Sequence, residues 1–483
     1  MRRSLKANYI YNLIYQIIAM LTPFITTPYI SRILGAKGIG EYSYGLSIVT
    51  YFSILGTLGI TTYGQIEIAK IRDNLGRLRI LITEVMIARI LTMFISCIAY
   101  GVVVVLAVDH KKILFVLVLY LLSQISDISW ILQGLEEFQS LVARNIVVKI
   151  INILFIFILI KSDSDLYLYA GLMQGIVFVG NFFLWPNIWK FLDFSKNKIS
   201  FYHLLKHWKG SMVYFIPTVA TTIYTVLDKS MIGWITHSDI QNGYYEQAHK
   251  IEQILVVGLT SLGTVTLPRI TNMYINHDNV GIKRIMEKSI KLVLFISVPM
   301  CFGLMGIVDI FIPIFLGKGY DECIVLTKIF SLLIIVVGLD NTIGRQCLMA
   351  MGRQKLFNIG VIFGALLNFT LNLLLIPSLG ALGAVISSVC SEMLILGLFL
   401  YFSRDFMKFN IISSIYKYII ASILMYILVK YIGLQFRGSL IILFVQIVLG
   451  ILCYLGVLLI LNENFAKVFI AQLFMLTKKI IKL

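Results

Sequence analysis

Seven ionisable residues lie inside or at the mouths of long apolar stretches: Arg32, Arg89, Lys149, Asp228, Lys229, Lys250 and Glu392. A charge at the centre of a bilayer costs roughly 2.5–3.5 kcal/mol on insertion scales, so each must face a partner or a wet cavity. Arg89, Lys149, Lys229 and Lys250 suit an anionic ligand such as a diphosphate. Ammonium and guanidinium groups make charge-assisted hydrogen bonds to phosphate oxygens. Asp228 and Glu392 suit charge compensation or a cycle coupled to protons or sodium, and Arg32 suits an external gate. Other chemistry is excluded. The chain carries no Walker loop and no zinc motif. Asp163-x-Asp165 superficially resembles a nucleotide-sugar metal motif but reads as two solvated carboxylates in a short turn. The six cysteines lie within or beside apolar runs without metal-ligand spacing, as free buried thiols do. No catalytic residue, metal or cofactor is expected, and the reading is a transporter, not an enzyme.

The elements that must position these residues are helices. Hydrophobic residues make up 59% of the 483 and charged residues 13%, with mean hydropathy +0.90. A soluble protein carries about a quarter charged residues. Fourteen apolar stretches predict transmembrane helices over 8–30, 40–68, 80–107, 113–133, 141–160, 166–189, 211–236, 243–268, 288–315, 322–350, 356–376, 381–402, 413–433 and 438–461. The fold class is therefore all-α and polytopic. With the N-terminus inside, 27 Lys and Arg fall in cytoplasmic segments and eight in external ones. That asymmetry obeys the positive-inside rule with both termini cytoplasmic. The net charge of +17 thus reports topology, and no nucleic-acid partner is expected. No external loop exceeds about ten residues, which leaves no room for an extracellular catalytic domain.

Phe201, Leu204, Leu205 and Trp208 recur at helical spacing between His203, Lys206, His207 and Lys209. This predicts an amphipathic surface helix in the linker 190–210. The halves around it repeat with a shift of 203 to 205 residues. Gly40-Glu41-Tyr42-Ser43 corresponds to Gly243-Tyr244-Tyr245-Glu246, Leu58-Gly59 to Leu262-Gly263, and Asp73-Asn74 to Asp278-Asn279. Six helices separate the copies, so both enter the membrane in the same direction, as in parallel-repeat transporters. The predicted organisation is a six-helix lobe over 1–189, a cytoplasmic linker over 190–210, a second six-helix lobe over 211–402, and two extra helices with a basic tail over 403–483.

The run from Pro28 through Arg32-Ile33-Leu34-Gly35 to Glu41-Tyr42-Ser43-Tyr44 resembles the start of Wzx-type flippases, translocases of lipid-linked oligosaccharides. Leu227-Asp228-Lys229-Ser230, Ala248-His249-Lys250-Ile251 and Leu267-Pro268-Arg269 are similar to that family too. The resemblance covers the whole chain, and the wider superfamily also holds MATE antiporters and the lipid II flippase. It implies a MATE-like fold of two lobes about a central cavity, in the bacterial cytoplasmic membrane. It implies an undecaprenyl-diphosphate-linked oligosaccharide as substrate, beside membrane lipid. A polysaccharide polymerase and glycosyltransferases would be partners in capsule, exopolysaccharide or O-antigen assembly. Asn8–Ser31 carries no charge. The lipid II flippase has arginines in this helix and cation-coupled multidrug members often a carboxylate, so the departure favours the oligosaccharide branch. A multidrug antiporter of the same fold is the first alternative and a membrane polysaccharide polymerase the second.

Overall fold

A computed structural model describes residues 5–192, 200–260, 266–406, 412–436 and 439–468. Among them it is helical throughout. Eleven helical segments are long and apolar enough to cross a membrane. The expected fourteen are thus not all recovered as separate apolar spans. The first two predicted crossings merge into one run of 51 residues, Leu21–Ile71. The helices Phe201–Thr236 and Asp239–Thr260, in place of the predicted seventh and eighth, are not among the eleven; the second carries many polar residues.

By contacts the chain divides into two compact units, Met1–Glu246 and Gln247–Leu483. The first contains α1 (Leu5–Thr57), α2 (Ile60–Ile71), α3 (Leu75–Leu106), α4 (Lys111–Val116), α5 (Val118–Ser126), α6 (Ser129–Gly134), α7 (Phe138–Leu159), α8 (Leu166–Phe182) and α9 (Phe201–Thr236). Helix α10 (Asp239–Thr260) begins in the first unit and ends in the second. The second unit continues with α11 (Thr266–Ile275), α12 (Asn279–Phe315), α13 (Asp321–Asp340), α14 (Gln354–Leu379), α15 (Ala381–Ser403), α16 (Ile412–Gln435) and α17 (Leu440–Ile460).

Where the predicted helices 8–30 and 40–68 should be separated by a loop, the backbone bends at Gly35 alone, with φ 64° and ψ 176°. This conformation lies outside the range most L-residues tolerate. The real interruption comes later, at Leu58 (φ 47°) and Gly59 (φ 71°). The predicted helix 113–133 is three short helices. Asp127, extended at ψ 115°, ends α5, and its carboxylate accepts from the backbone N–H (3.0 Å) and hydroxyl (2.9 Å) of Ser129. Aspartate and serine compete with helical hydrogen bonding in this way even inside an apolar run.

The predicted amphipathic helix is the first part of α9 and not a separate element; residues 193–199 of the linker lie outside the described residues. Ser200 caps it by accepting from the Tyr202 N–H. Leu204 joins a core with Ile60, Ile68, Leu78, Ile82 and Trp130. The side chain of Glu84 on α3 anchors the same turns. Its carboxylate accepts from His203 Nδ1 (2.7 Å) and His207 Nε2 (3.0 Å), and Tyr63 Oη lies 2.9 Å from His207 Nδ1. Glu84→Ala is expected to cost about 2 kcal/mol, because it strips one buried and one half-exposed contact from the carboxylate. The check is a lowered thermal-unfolding midpoint in detergent, with Lys206→Ala as the solvent-facing control.

Candidate functional site

Two cavities with polar side chains in their walls lie in the first unit. One, of about 260 Å³, is bounded by Gln124, Asp127, Ser129, Gln133, Arg144, Asn145 and Asn181. The other, of about 330 Å³, is bounded by Thr22, Thr26, Arg144, Asn145, Lys149, Asn152, Tyr169 and Gln174. Arg144 and Asn145 line both, as does Val177. The polar wall is a stripe along α7, with Arg144, Asn145, Lys149 and Asn152 recurring at near-helical spacing. Gln174 of α8 donates to Tyr42 Oη at 3.0 Å, and Tyr29 Oη donates to the Ile160 carbonyl at 2.7 Å. These bonds tie α1 to the cavity wall.

Arg89 and Lys149 fare differently. Arg89 is 2% exposed and donates to the carbonyls of Gln124 (2.8 Å) and Asp127 (2.9 Å). Those carbonyls belong to the end of α5, where the chain leaves the helix. Arg89 therefore braces the break in the α5–α6 region, and it lines neither cavity. Its guanidinium also lies 3.9 Å from the Asp127 carboxylate, whose other oxygen is 3.6 Å from Arg144. Lys149 lines the larger cavity. Arg144, inside the predicted helix 141–160, was not among the candidate residues above. The signal was the stripe it begins.

Lys229 and Asp228 belong to a second cluster, where α9 and the start of α10 meet α1. Lys229 Nζ lies 2.6 Å from Glu246 Oε2, with both side chains less than one-fifth exposed. The same oxygen accepts from Ser43 Oγ at 2.8 Å. Asp228 accepts from the Tyr245 hydroxyl, and Asn242 donates to the Lys229 carbonyl at 2.9 Å. The backbones are close here. A Cβ on Gly40 would sit 1.7 Å from the Asp239 carbonyl oxygen, and one on Gly243 would sit 1.9 Å from that of Ala36. Gly40 and Gly243, like Ser43 and Glu246, are equivalent positions of the sequence repeat, so the repeat motifs meet each other.

One turn away, His110 Nε2 is 3.5 Å from Asp239 Oδ1, and Tyr167 Oη donates to Glu41 at 3.3 Å. Burial pushes the Asp239 carboxyl up, and His110 and Lys37 pull it part of the way back. Arg32 lies exposed on α1, its guanidinium 3.4 Å from the Pro28 carbonyl of the same helix.

In the second unit, three helices each contribute a carboxyl group. Glu252 of α10 is 4% exposed and Asp340 of α13 is 7% exposed. Glu392 of α15 interacts electrostatically with both. Asp340 immediately precedes a π-helical segment, Asn341–Met349. Such segments widen a helix and recur at functional sites. Lys250 lies half-buried on α10, one turn beyond Glu246. The sequence reading singled out Glu392 and Lys250 but not Asp340 or Glu252. Two carboxyls held close in a membrane-buried site can take up a proton or a cation.

The described residues define the class, a multi-pass helical membrane protein with charges buried among its helices. It superposes on the lipid II flippase MurJ in an inward closed conformation with a TM-score of 0.75, at 17% identity over 95% of this chain and 99% of that one. An inward-facing multidrug resistance MATE transporter follows with a TM-score of 0.61, at 13% identity over 83% and 96% of the two chains. The chain belongs to the polysaccharide biosynthesis protein family, whose profile matches residues 5–274. It is 24% identical to a protein of Escherichia coli (strain K12) named "Putative O-antigen transporter", over 83% of this chain and 97% of that protein. A "Probable low-salt glycan biosynthesis flippase" of Haloferax volcanii is 23% identical over 41% of each chain.

Proposed function

We propose that this chain is a flippase that moves undecaprenyl-diphosphate-linked oligosaccharide repeat units from the inner to the outer leaflet, by alternating access. It acts as a transporter in surface polysaccharide synthesis and does no covalent chemistry. The observation that carries the reading is a polar cavity bearing Lys149 and Arg144 inside an apolar helical unit of a polysaccharide biosynthesis family member. Charges are rare in lipid-embedded helices and mark binding sites, and a diphosphate accepts charge-assisted hydrogen bonds from such cations. The match over 83% of this chain to a protein named as a putative O-antigen transporter supports the substrate class. The antiporter alternative has only the shared fold behind it, which by itself does not specify cargo.

Both termini are assigned to the cytoplasm by the distribution of Lys and Arg. The lobes 1–189 and 211–402, the linker 190–210 and the appended helices of 403–483 are kept as functional divisions. The contact at Ser43, Lys229, Glu246 and Asp228 serves as the external gate, with Arg32 at its rim. Lys250 reaches for the substrate's anionic part, and Glu392 with Asp340 and Glu252 forms the coupling site for a proton or sodium. A polysaccharide polymerase and glycosyltransferases supply and consume the cargo.

Deleting the gene is expected to abolish long-chain surface polysaccharide while lipid-linked repeat units accumulate in the inner leaflet, and a plasmid copy restores export. Unchanged surface polysaccharide together with new drug sensitivity would move the assignment to the multidrug antiporters.

A further inference from the structure

Three elements of the first unit converge beside the Gly40–Gly243 crossing. Glu41 comes from α1, His110 from the turn ahead of α4, and Asp239 from the start of α10. One ligand atom from each lies within 4.8 Å of the other two. All three residues are partly buried, with the His110 side chain 26% and the Asp239 side chain 17% exposed. Packing fixes their approach. Gly40, the neighbour of Glu41, lies against the Asp239 backbone, and the His110 ring rests on Tyr44 with centroids 5.1 Å apart.

The spacing is that of ligands around an ion, not of a closed ion pair. His110 Nε2 and Asp239 Oδ1 are 3.5 Å apart, beyond the roughly 2.7–2.9 Å of a charge-assisted N–H···O bond. Two donors each about 2.1 Å from a tetrahedral zinc ion stand roughly 3.4 Å from one another. The Tyr167 hydroxyl donates to Glu41 Oε1 at 3.3 Å, and among the described residues Glu41 Oε2 takes no hydrogen bond. A hydrogen bond to one oxygen fixes the direction of a ligating carboxylate. Charge agrees with geometry. Asp109 and Lys37 act electrostatically on Asp239, as Lys37 does on Glu41. Three carboxylates against one ammonium leave two negative charges around a neutral imidazole, which a divalent ion cancels.

We propose that Glu41, His110 and Asp239 bind a divalent cation of the zinc type, which clamps α1 to α10. One imidazole and two carboxylates suit zinc. Calcium and magnesium take six or more oxygen ligands and have no use for the ring nitrogen. Water supplies the fourth position, as in zinc sites with three protein ligands. The site is read from geometry alone, and only its consequence rests on the flippase reading. In the topology assigned above, all three residues lie on the external face, beside Ser43 and Glu246. A bound ion then holds the external gate shut, and its release frees α10 to part from α1.

The test uses the full-length, tag-free protein in detergent, stripped with EDTA and titrated calorimetrically with zinc chloride or magnesium chloride. Zinc is expected to bind at this site about a hundredfold more tightly than magnesium. His110→Asn keeps a residue that tolerates the left-handed backbone there, φ 59°. It weakens zinc binding about a hundredfold, and Tyr167→Phe, which only frees the Glu41 carboxylate, about tenfold. Glu41→Gln replaces His110→Asn if that variant does not fold. Zinc also slows amide hydrogen exchange over 36–44 and 239–246 about tenfold in the parent and not in His110→Asn. Unchanged zinc affinity in these variants overturns the site, as does uptake that disappears with Glu84→Gln and so belongs to His203 and His207. Binding without slower exchange across α1 and α10 overturns the clamp. If the parent chain fails to restore polysaccharide in the deletion strain, the flippase reading and the gate role fall. The titration and the exchange rates still decide the cation site.

Discussion

Lys149→Ala is expected to lower surface polysaccharide export about tenfold to thirtyfold at unchanged protein abundance, the equivalent of roughly 1.5–2 kcal/mol for a lost charge-assisted contact to phosphate. Lysine at this position lines a cavity together with Thr22, Thr26, Asn152 and Gln174, so its removal alters what the cavity binds without emptying a packed core. Lys149→Arg keeps the charge and retains most of the export. Arg89→Ala separates the two kinds of buried cation. Its guanidinium braces carbonyls of a broken helix, and the loss leaves those buried acceptors without their donor. That variant falls in abundance and thermal stability, and export falls only in proportion. Quantitative immunoblots alongside polysaccharide yield distinguish the outcomes. A Lys149→Ala strain with normal polysaccharide would remove the cationic cavity from the mechanism.

Gly243→Ala has the largest structural effect expected. The added methyl group would lie 1.9 Å from the Ala36 carbonyl oxygen, and backbone cannot rotate away as a side chain can. Overpacking of this kind costs typically about 1–3 kcal/mol. Here the relief available is to part α10 from α1, which also separates Glu246 from Ser43, now joined at 2.8 Å. Export is expected to fall to the level of the deletion strain. A Ser43→Cys/Glu246→Cys pair forms a disulfide under mild oxidant in the parent and fails to do so when Gly243→Ala is added. Efficient cross-linking in the alanine variant would mean that the crossing tolerates the methyl group and that the glycine is not needed for closure.

Where the sequence reading missed, polar residues inside apolar runs are responsible. Ser126-Asp127-Ile128-Ser129 sits within a stretch whose mean hydropathy reads as one helix, yet the Asp127 carboxylate captures the Ser129 backbone and ends α5. Window averages dilute one aspartate among many leucines and valines. The predicted helices 8–30 and 40–68 leave a gap that holds Arg32 and Lys37, whereas the helix there runs on and turns at Gly35. Phe201–Lys209 was legible as amphipathic, but its continuity with the following span was not. Nothing in its periodicity shows that Glu84 would hold His203 and His207 from another helix.

From the sequence alone came membrane insertion, helical class, the internal repeat and some of the buried charges. Each depends on composition or on spacing along one chain, and hydrophobic burial acts residue by residue. Partnership was settled by the tertiary structure alone. Helical periodicity gives a side chain its depth and its face, but not which helix lies opposite. Packing therefore put Arg89 into a structural brace, Lys229 against Glu246, and Arg144 in the lining of two cavities. It also brought Gly40 and Gly243 into contact, a meeting that no alignment of the two repeats could establish.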